Sequence, residues 1–98
     1  MITSNIKEQL ALIILDTFPH LEELKDLLTN DETKLAADLQ MDSFSIISLQ
    51  VSIEDNFGLF FDPIEDDFVE IFCTIGSLTN YISSKIEVWN VYTSYNLV

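Results

Sequence analysis

Basic residues are scarce in this chain. Four Lys and Arg stand against seventeen Asp and Glu, which leaves a net charge of −13 at pH 7. A field of that sign repels phosphate backbones and anionic lipid, so nucleic acid and membrane surfaces are disfavoured as partners. Basic protein surfaces suit it better. Cysteine occurs once, as Cys73, so no intramolecular disulfide can form. That suits a reducing compartment. Within "VEIFCTIG", Cys73 is expected to be a small buried hydrophobe. Two glycines and two prolines are the only strong breakers, which favours helices over a turn-rich β domain. The apolar run "LALIIL", residues 10 to 15, is far too short to span a membrane. The start, "MITSNIKEQ", has no basic n-region and no small-x-small site after it, so no signal peptide is read and a cytoplasmic location is expected.

What is present is apolar material. Hydrophobic residues make up 48% of 98 residues, enough for the core of one small domain. Residues 4 to 18 carry Ile6, Leu10, Ile13 and Ile14 at helical spacing, with Ser4 or Asn5 as the cap and Pro19 as the stop. Residues 19 to 41 form a long connection. "HLEELKDLL" has the pattern of a short helix, and Leu35 and Leu39 are expected to tuck onto the core. Residues 43 to 57 are the clearest helix. Ile46, Leu49 or Gln50, Ile53 and Phe57 share one face, and Ser45, Ser48, Ser52 and Asp55 are placed opposite. Asp42 or Ser43 caps its start, and Gly58 closes it.

Pro63 breaks the next segment. A short acidic helix is expected over 65 to 72, with Phe68, Ile71 and Phe72 pointing one way. A last helix is expected over roughly 75 to 88, capped by Thr74, with Ile75, Leu78, Ile82 and Ile86 on one face. The tail "WNVYTSYNLV", 89 to 98, is aromatic. It is open to four readings: an extension of that helix, a segment packed on the domain, a segment that binds a partner, or a strand. The acidic run "DPIEDDFVEIF" lacks the turn glycine of a calcium loop, since Asp67 stands at the sixth position from Asp62. It reads as a solvated acidic face. Phe60, Phe61, Phe68 and Phe72 read as core or as the lining of a cleft.

Ser43 opens the clearest helix and admits three roles. It can cap the helix. It can act as a hydrolytic nucleophile, which requires a general base; the single histidine is His20, and no G-x-S-x-G elbow is present. It can also carry an attached group, because a phosphate there meets free N–H groups and the positive end of the helix dipole.

At this point the residues carry a resemblance. "LAADLQMDSFSIISLQVSIEDNFG", residues 35 to 58, resembles the central segment of acyl and peptidyl carrier proteins. Asp38-Leu39 matches the family's D-L, Asp42-Ser43-Phe44 its D-S-[L/F] motif, and Ile53-Glu54-Asp55-Asn56-Phe57-Gly58 the string that ends its second helix. "TIGSLTNYI" resembles the family's closing T-V-G-x-L-x-x-Y-I. The likeness spans about residues 4 to 88.

The resemblance implies an all-α, acyl-carrier-protein-like four-helix bundle with a short third helix. It divides the chain into a carrier domain, 1–88, and an aromatic tail, 89–98. It implies that Ser43 receives 4′-phosphopantetheine from a phosphopantetheinyl transferase, with Asp42 and Phe44 flanking the attachment point. The arm's thiol would hold an acyl or aminoacyl group as a thioester for fatty acid, polyketide or nonribosomal peptide biosynthesis. The protein would be a free-standing monomer that catalyses nothing itself and delivers its cargo to loading and transferring enzymes with basic docking surfaces.

Three positions depart from the family pattern. Gln40 replaces a glycine, and Ser45 and Ser48 replace acidic residues. Acidic character is kept at Glu54, Asp55, Glu65, Asp66 and Asp67, which are the expected docking residues. The alternative is an acidic helical interaction module that is never modified.

Overall fold

The computed structural model describes the backbone of residues 2–97 and the side chains of residues 6–86. The chain is all-α. Helix α1 runs Ile2–Thr17, a 3-10 segment Pro19–Thr29, α2 Ser43–Phe57, α3 Phe68–Ile71 and α4 Ile75–Leu97. Among the described residues there is no strand, only an isolated antiparallel bridge between Lys34 and Thr74.

Helix α1 begins upstream of Ser4 and Asn5, whose side chains lie outside the described residues. Ile6, Leu10, Ile13 and Ile14 are buried, as their spacing predicts. The helix stops where Pro19 follows, and the Phe18 N–H makes its last bond to the Ile14 carbonyl. It packs against the 3-10 segment, α2 and α4. The 3-10 segment is two short pieces joined at Leu24, where the backbone leaves helical angles. Such helices rarely run beyond one turn, because their hydrogen-bond geometry is poor. Leu21 and Leu28 hold this one down.

The long connection packs, which is why it can be long. Leu35, Leu39 and Met41 are all buried. Its backbone is stitched to the start of α4. The Leu35 N–H donates to the Cys73 carbonyl (3.2 Å), the Ile75 N–H to Thr33 (2.9 Å) and the Gly76 N–H to Asp31 (2.9 Å). Gly76 is required by this approach, since a Cβ there would stand 2.9 Å from the Asp31 carbonyl oxygen. The Lys7 ammonium also reaches the Asp31 carboxylate, at 2.7 Å.

Helix α3 is shorter than the expected 65–72. Asp62 and Asp66 fold residues 62–66 into a turn instead. The Asp62 carboxylate accepts from the Ile64 and Glu65 N–H groups, and the Asp66 carboxylate from the Asp62 N–H. Asp residues favour such turns over helix interiors for this reason. Asp67 then caps α3 by accepting from the Glu70 N–H. Phe61, Phe68 and Phe72 form one aromatic cluster, with centroids 5.3 to 6.0 Å apart. Phe60 is outside it and 80% exposed, contrary to its expected place in the core or cleft.

Thr74 caps α4 as expected. Its hydroxyl accepts from the Ser77 N–H, and the Thr74 N–H donates back to the Ser77 hydroxyl. Cys73, just before this cap, is exposed and not the buried hydrophobe expected. The turn between α3 and α4 places it outside while its neighbours Phe72 and Ile75 fill the core. The α4 backbone continues past 88 through 89–97, so the tail extends the last helix. Its aromatic side chains, and what they pack on or bind, lie outside the described residues. Among the described residues no helix is long and apolar enough to cross a membrane.

Candidate functional site at the start of helix α2

The start of α2 divides its labour between two adjacent residues. Asp42, in extended backbone, is the N-cap, and its carboxylate accepts from the Ser45 N–H at 2.8 Å. That hydrogen bond holds the Asp42 carboxyl below its usual 3.8. Ser43 is therefore the first helical residue rather than the cap. Its side chain is exposed and hydrogen-bonds to no described residue. The hydroxyl is thus free at the positive end of a helix of 15 residues.

The approach to this site uses an unusual backbone. Gln40 has φ 57°, the only non-glycine residue with positive φ among the described residues. Side chains disfavour this left-handed conformation by roughly 1–2 kcal/mol. Gln40 bridges buried Leu39 and Met41, which turn into the core on either side of it. The position is the one where the carrier resemblance has glycine, the residue that adopts such angles freely.

A groove of about 370 Å³ opens beside Ser43. Ile46 and Ile47 of α2 form one wall, and Phe68, Val69 and Phe72 form the other. Met41 and Ala36 of the long connection and Asp42 complete it. The far wall is fixed from behind, because α3 packs on α4. Phe61 stacks on Tyr81 of α4, with centroids 5.0 Å apart and planes at 12°. The Tyr81 hydroxyl donates to Asp66 at 2.7 Å. Burial, then the bond to Asp66, pushes the Tyr81 hydroxyl well above its usual 10.0. Partial burial works against the Asp66 charge. The Tyr81 and Asp62 hydrogen bonds outweigh it and leave the Asp66 carboxyl lowered.

The outward face of α2 differs from the one expected. Ser45, Ser48 and Ser52 are half-buried, and the Ser52 hydroxyl pairs with Thr17 of α1 at 3.0 Å. Phe44, Ile47 and Val51 are exposed in their place, at 78, 59 and 50%. The reason is the rotation of the helix. Leu49 and Ile53 are fully buried, and at about 100° per residue that centre puts Phe44, Val51 and Asp55 directly opposite. Ser45 and Ser52 then fall on a flank.

The expected docking residues do not form one set. Glu54 accepts from the Phe61 N–H at 3.0 Å, and Asp66 is held as described. Asp67 is the α3 cap. Asp55 and Glu65 are exposed. The sequence pattern alone did not separate carboxylates that build the 59–67 loop from carboxylates that face water. The side-chain-to-backbone spacings Asp62–Ile64 and Asp67–Glu70, typical of Asx turns and caps, were the available signal. The groove lining contains no histidine, and His20 lies elsewhere, against Phe18.

Compared with known proteins, the chain matches no family model, no curated protein and no solved structure.

Proposed function

We propose that this chain is a cytoplasmic carrier protein of the acyl or peptidyl carrier type. In this reading it belongs to fatty acid, polyketide or nonribosomal peptide biosynthesis. Ser43 carries 4′-phosphopantetheine, attached by a phosphopantetheinyl transferase, and the arm's thiol holds an acyl or aminoacyl thioester. The protein then performs no chemistry of its own. It presents the cargo to loading and transferring enzymes and raises its local concentration by tethering.

The observation that carries this reading is the free Ser43 hydroxyl. Asp42 takes over the capping role, so the serine is not needed for the helix start. The residues present fit the group. The hydroxyl is open to a modifying enzyme, and a phosphodiester on it would lie at the α2 N-terminus, where the helix dipole favours negative charge. The left-handed Gln40 adds support, because it occupies the glycine position of the carrier motif with the angles of a glycine. The groove beside Ser43 could receive an apolar cargo.

The test is coexpression with a broad-specificity phosphopantetheinyl transferase, followed by intact-mass spectrometry. The wild type is expected to gain one phosphopantetheine and Ser43→Ala none. A wild-type chain that stays unmodified sinks the proposal, as does a Ser43→Ala variant that still gains the group.

A second reading, an unmodified interaction module, is favoured by one observation: the apolar outer face of α2. It predicts a chain whose binding function survives Ser43→Ala.

A further inference from the structure

Helix α4 changes character along one side. It runs for 23 residues, against 16 for α1 and 15 for α2. Burial fixes its domain side: Ile75, Leu78 and Ile82 are buried, and Ile86 packs against the same core. Exposure fixes the other side, where Asn80 and Ser84 are both exposed. At about 100° per residue, Val88, Val91 and Tyr95 share that register, all within about 40° of Ser84 on the helical wheel. Trp89, seven residues after Ile82, falls on the domain side instead. The ridge that is polar up to Ser84 is thus apolar from Val88 on, at spacings of four and three. Polar residues belong opposite the core of an amphipathic helix, and this domain's core does not account for the change.

Charge decides what can cover the ridge. Sixteen of the seventeen acidic residues and three of the four lysines precede Ile75, so residues 1–74 carry the whole −13. Lys85 and Glu87 cancel within α4, and no side chain after Glu87 is charged. A basic partner finds no carboxylate there to recognise. The complement of an uncharged apolar ridge is another one, and a second copy of the chain supplies it. Two such copies repel unless their acidic bodies stay apart. Laid antiparallel, two segments 88–97 leave those bodies at opposite ends, roughly 15 Å of helix apart. That exceeds the screening length of about 8 Å at physiological salt. A parallel pair would set the bodies side by side.

We propose that the chain forms a weak symmetric dimer through the outer side of α4 beyond Ser84, with Val88, Val91 and Tyr95 of one copy antiparallel on the same residues of a second. The two-fold axis passes beside Val91, at the middle of the ridge, so each Val91 meets its own copy. About two turns of helix a side make a small interface, in the class of transient contacts. The pairing uses neither Ser43 nor the groove, so it and the carrier reading can fail separately.

The 98-residue chain, unmodified, is followed by sedimentation equilibrium at physiological salt. Concentrations from about 5 to about 500 µM bracket the affinity of a small interface. The mean mass is expected to rise from one chain toward two. Val91→Asp and Val91→Lys are each expected to stay at one chain throughout, because like charges meet at the axis. Their equimolar mixture is expected to pair again, since Asp then meets Lys. That recovery also shows that each variant alone kept its helix. Val51→Asp, at an exposed apolar residue of α2, is expected to associate as wild type does. A wild-type mass of one chain at every concentration overturns the proposal. So does association that survives both Val91 variants, or that Val51→Asp abolishes. A mixture that stays monomeric overturns the antiparallel arrangement. Val91-dependent binding to phosphatidylcholine vesicles, by a chain that stays monomeric in solution, would assign the ridge to lipid and overturn the dimer.

Discussion

The Tyr81 hydroxyl of α4 donates to the Asp66 carboxylate at 2.7 Å, while its ring stacks on Phe61. One side chain thereby holds both the backbone turn before α3 and the aromatic cluster behind the groove. Tyr81→Phe keeps the stack and deletes the bond. It is expected to cost about 1 kcal/mol in urea unfolding. The pH dependence has a definite sign. Asp66 is lowered from 3.8, so its stabilisation is full above that value and is lost as pH falls through its folded range. Tyr81→Phe should therefore flatten the acid limb of the stability curve. An unchanged acid limb would show that the bond carries no stability.

Ser43→Ala and Asp42→Ala should behave oppositely. The serine makes no cap bond, so its loss should leave stability within about 0.5 kcal/mol of wild type while abolishing attachment. Loss of Asp42 strands the Ser45 N–H and should lower the thermal midpoint. That deficit should shrink as pH falls from 3.8, where the unfolded chain takes up the proton, through the lower range in which the folded carboxyl is itself protonated. Thermal melts at pH 7 and pH 3 compare the two variants directly.

Gln40→Gly is expected to stabilise the protein. The substitution relieves a left-handed residue, worth roughly 1–2 kcal/mol, and gives back somewhat less than 1 kcal/mol through the freer unfolded chain. A net gain near 0.5–1 kcal/mol should be visible as a higher urea midpoint with an unchanged slope. A loss of stability would mean that the Gln40 side chain contributes more than its backbone costs.

Gly76→Ala should be damaging for the opposite reason. The new methyl group meets a backbone carbonyl at 2.9 Å, not a side chain that can turn away. The stitch between Asp31 and α4 must open, at a cost of about 1–3 kcal/mol. Amide exchange at Gly76 and Ile75, whose N–H groups make two of the stitching bonds, would report the opening.

Much of this fold is legible in the sequence where local chemistry and packing agree. Helix α2 starts and stops where its cap and Gly58 say it should, because Asp42 accepts the orphan Ser45 N–H and Gly58 adopts φ 67° at no steric cost. The buried seams of α1 and of α4 up to Ile82 follow the 3.6-residue period. What the sequence hides is rotation and competition. The serines of α2 look like a solvent face by polarity, yet the half-buried Ser52 finds a partner in Thr17, and three apolar residues are left outside. The acidic run looks like a helix by composition, yet Asp62 and Asp66 satisfy backbone groups in a turn before a helix can form. Both outcomes depend on contacts between distant segments, which a local pattern does not contain.

The stitch between the long connection and α4 also sets an order of events in synthesis. Residues 31–35 precede Ser43, but their backbone partners are at 73–76, some forty positions later in the chain. The segment that leads into the Ser43 site cannot be secured until the first turn of α4 has left the ribosome. A nascent chain ending before Cys73 should present its serine on an unanchored loop. Stalled chains of increasing length, challenged with a broad-specificity phosphopantetheinyl transferase, should become substrates only once residues 73–76 emerge. Labelling of shorter chains at the full-length rate would show that the transferase needs no folded target.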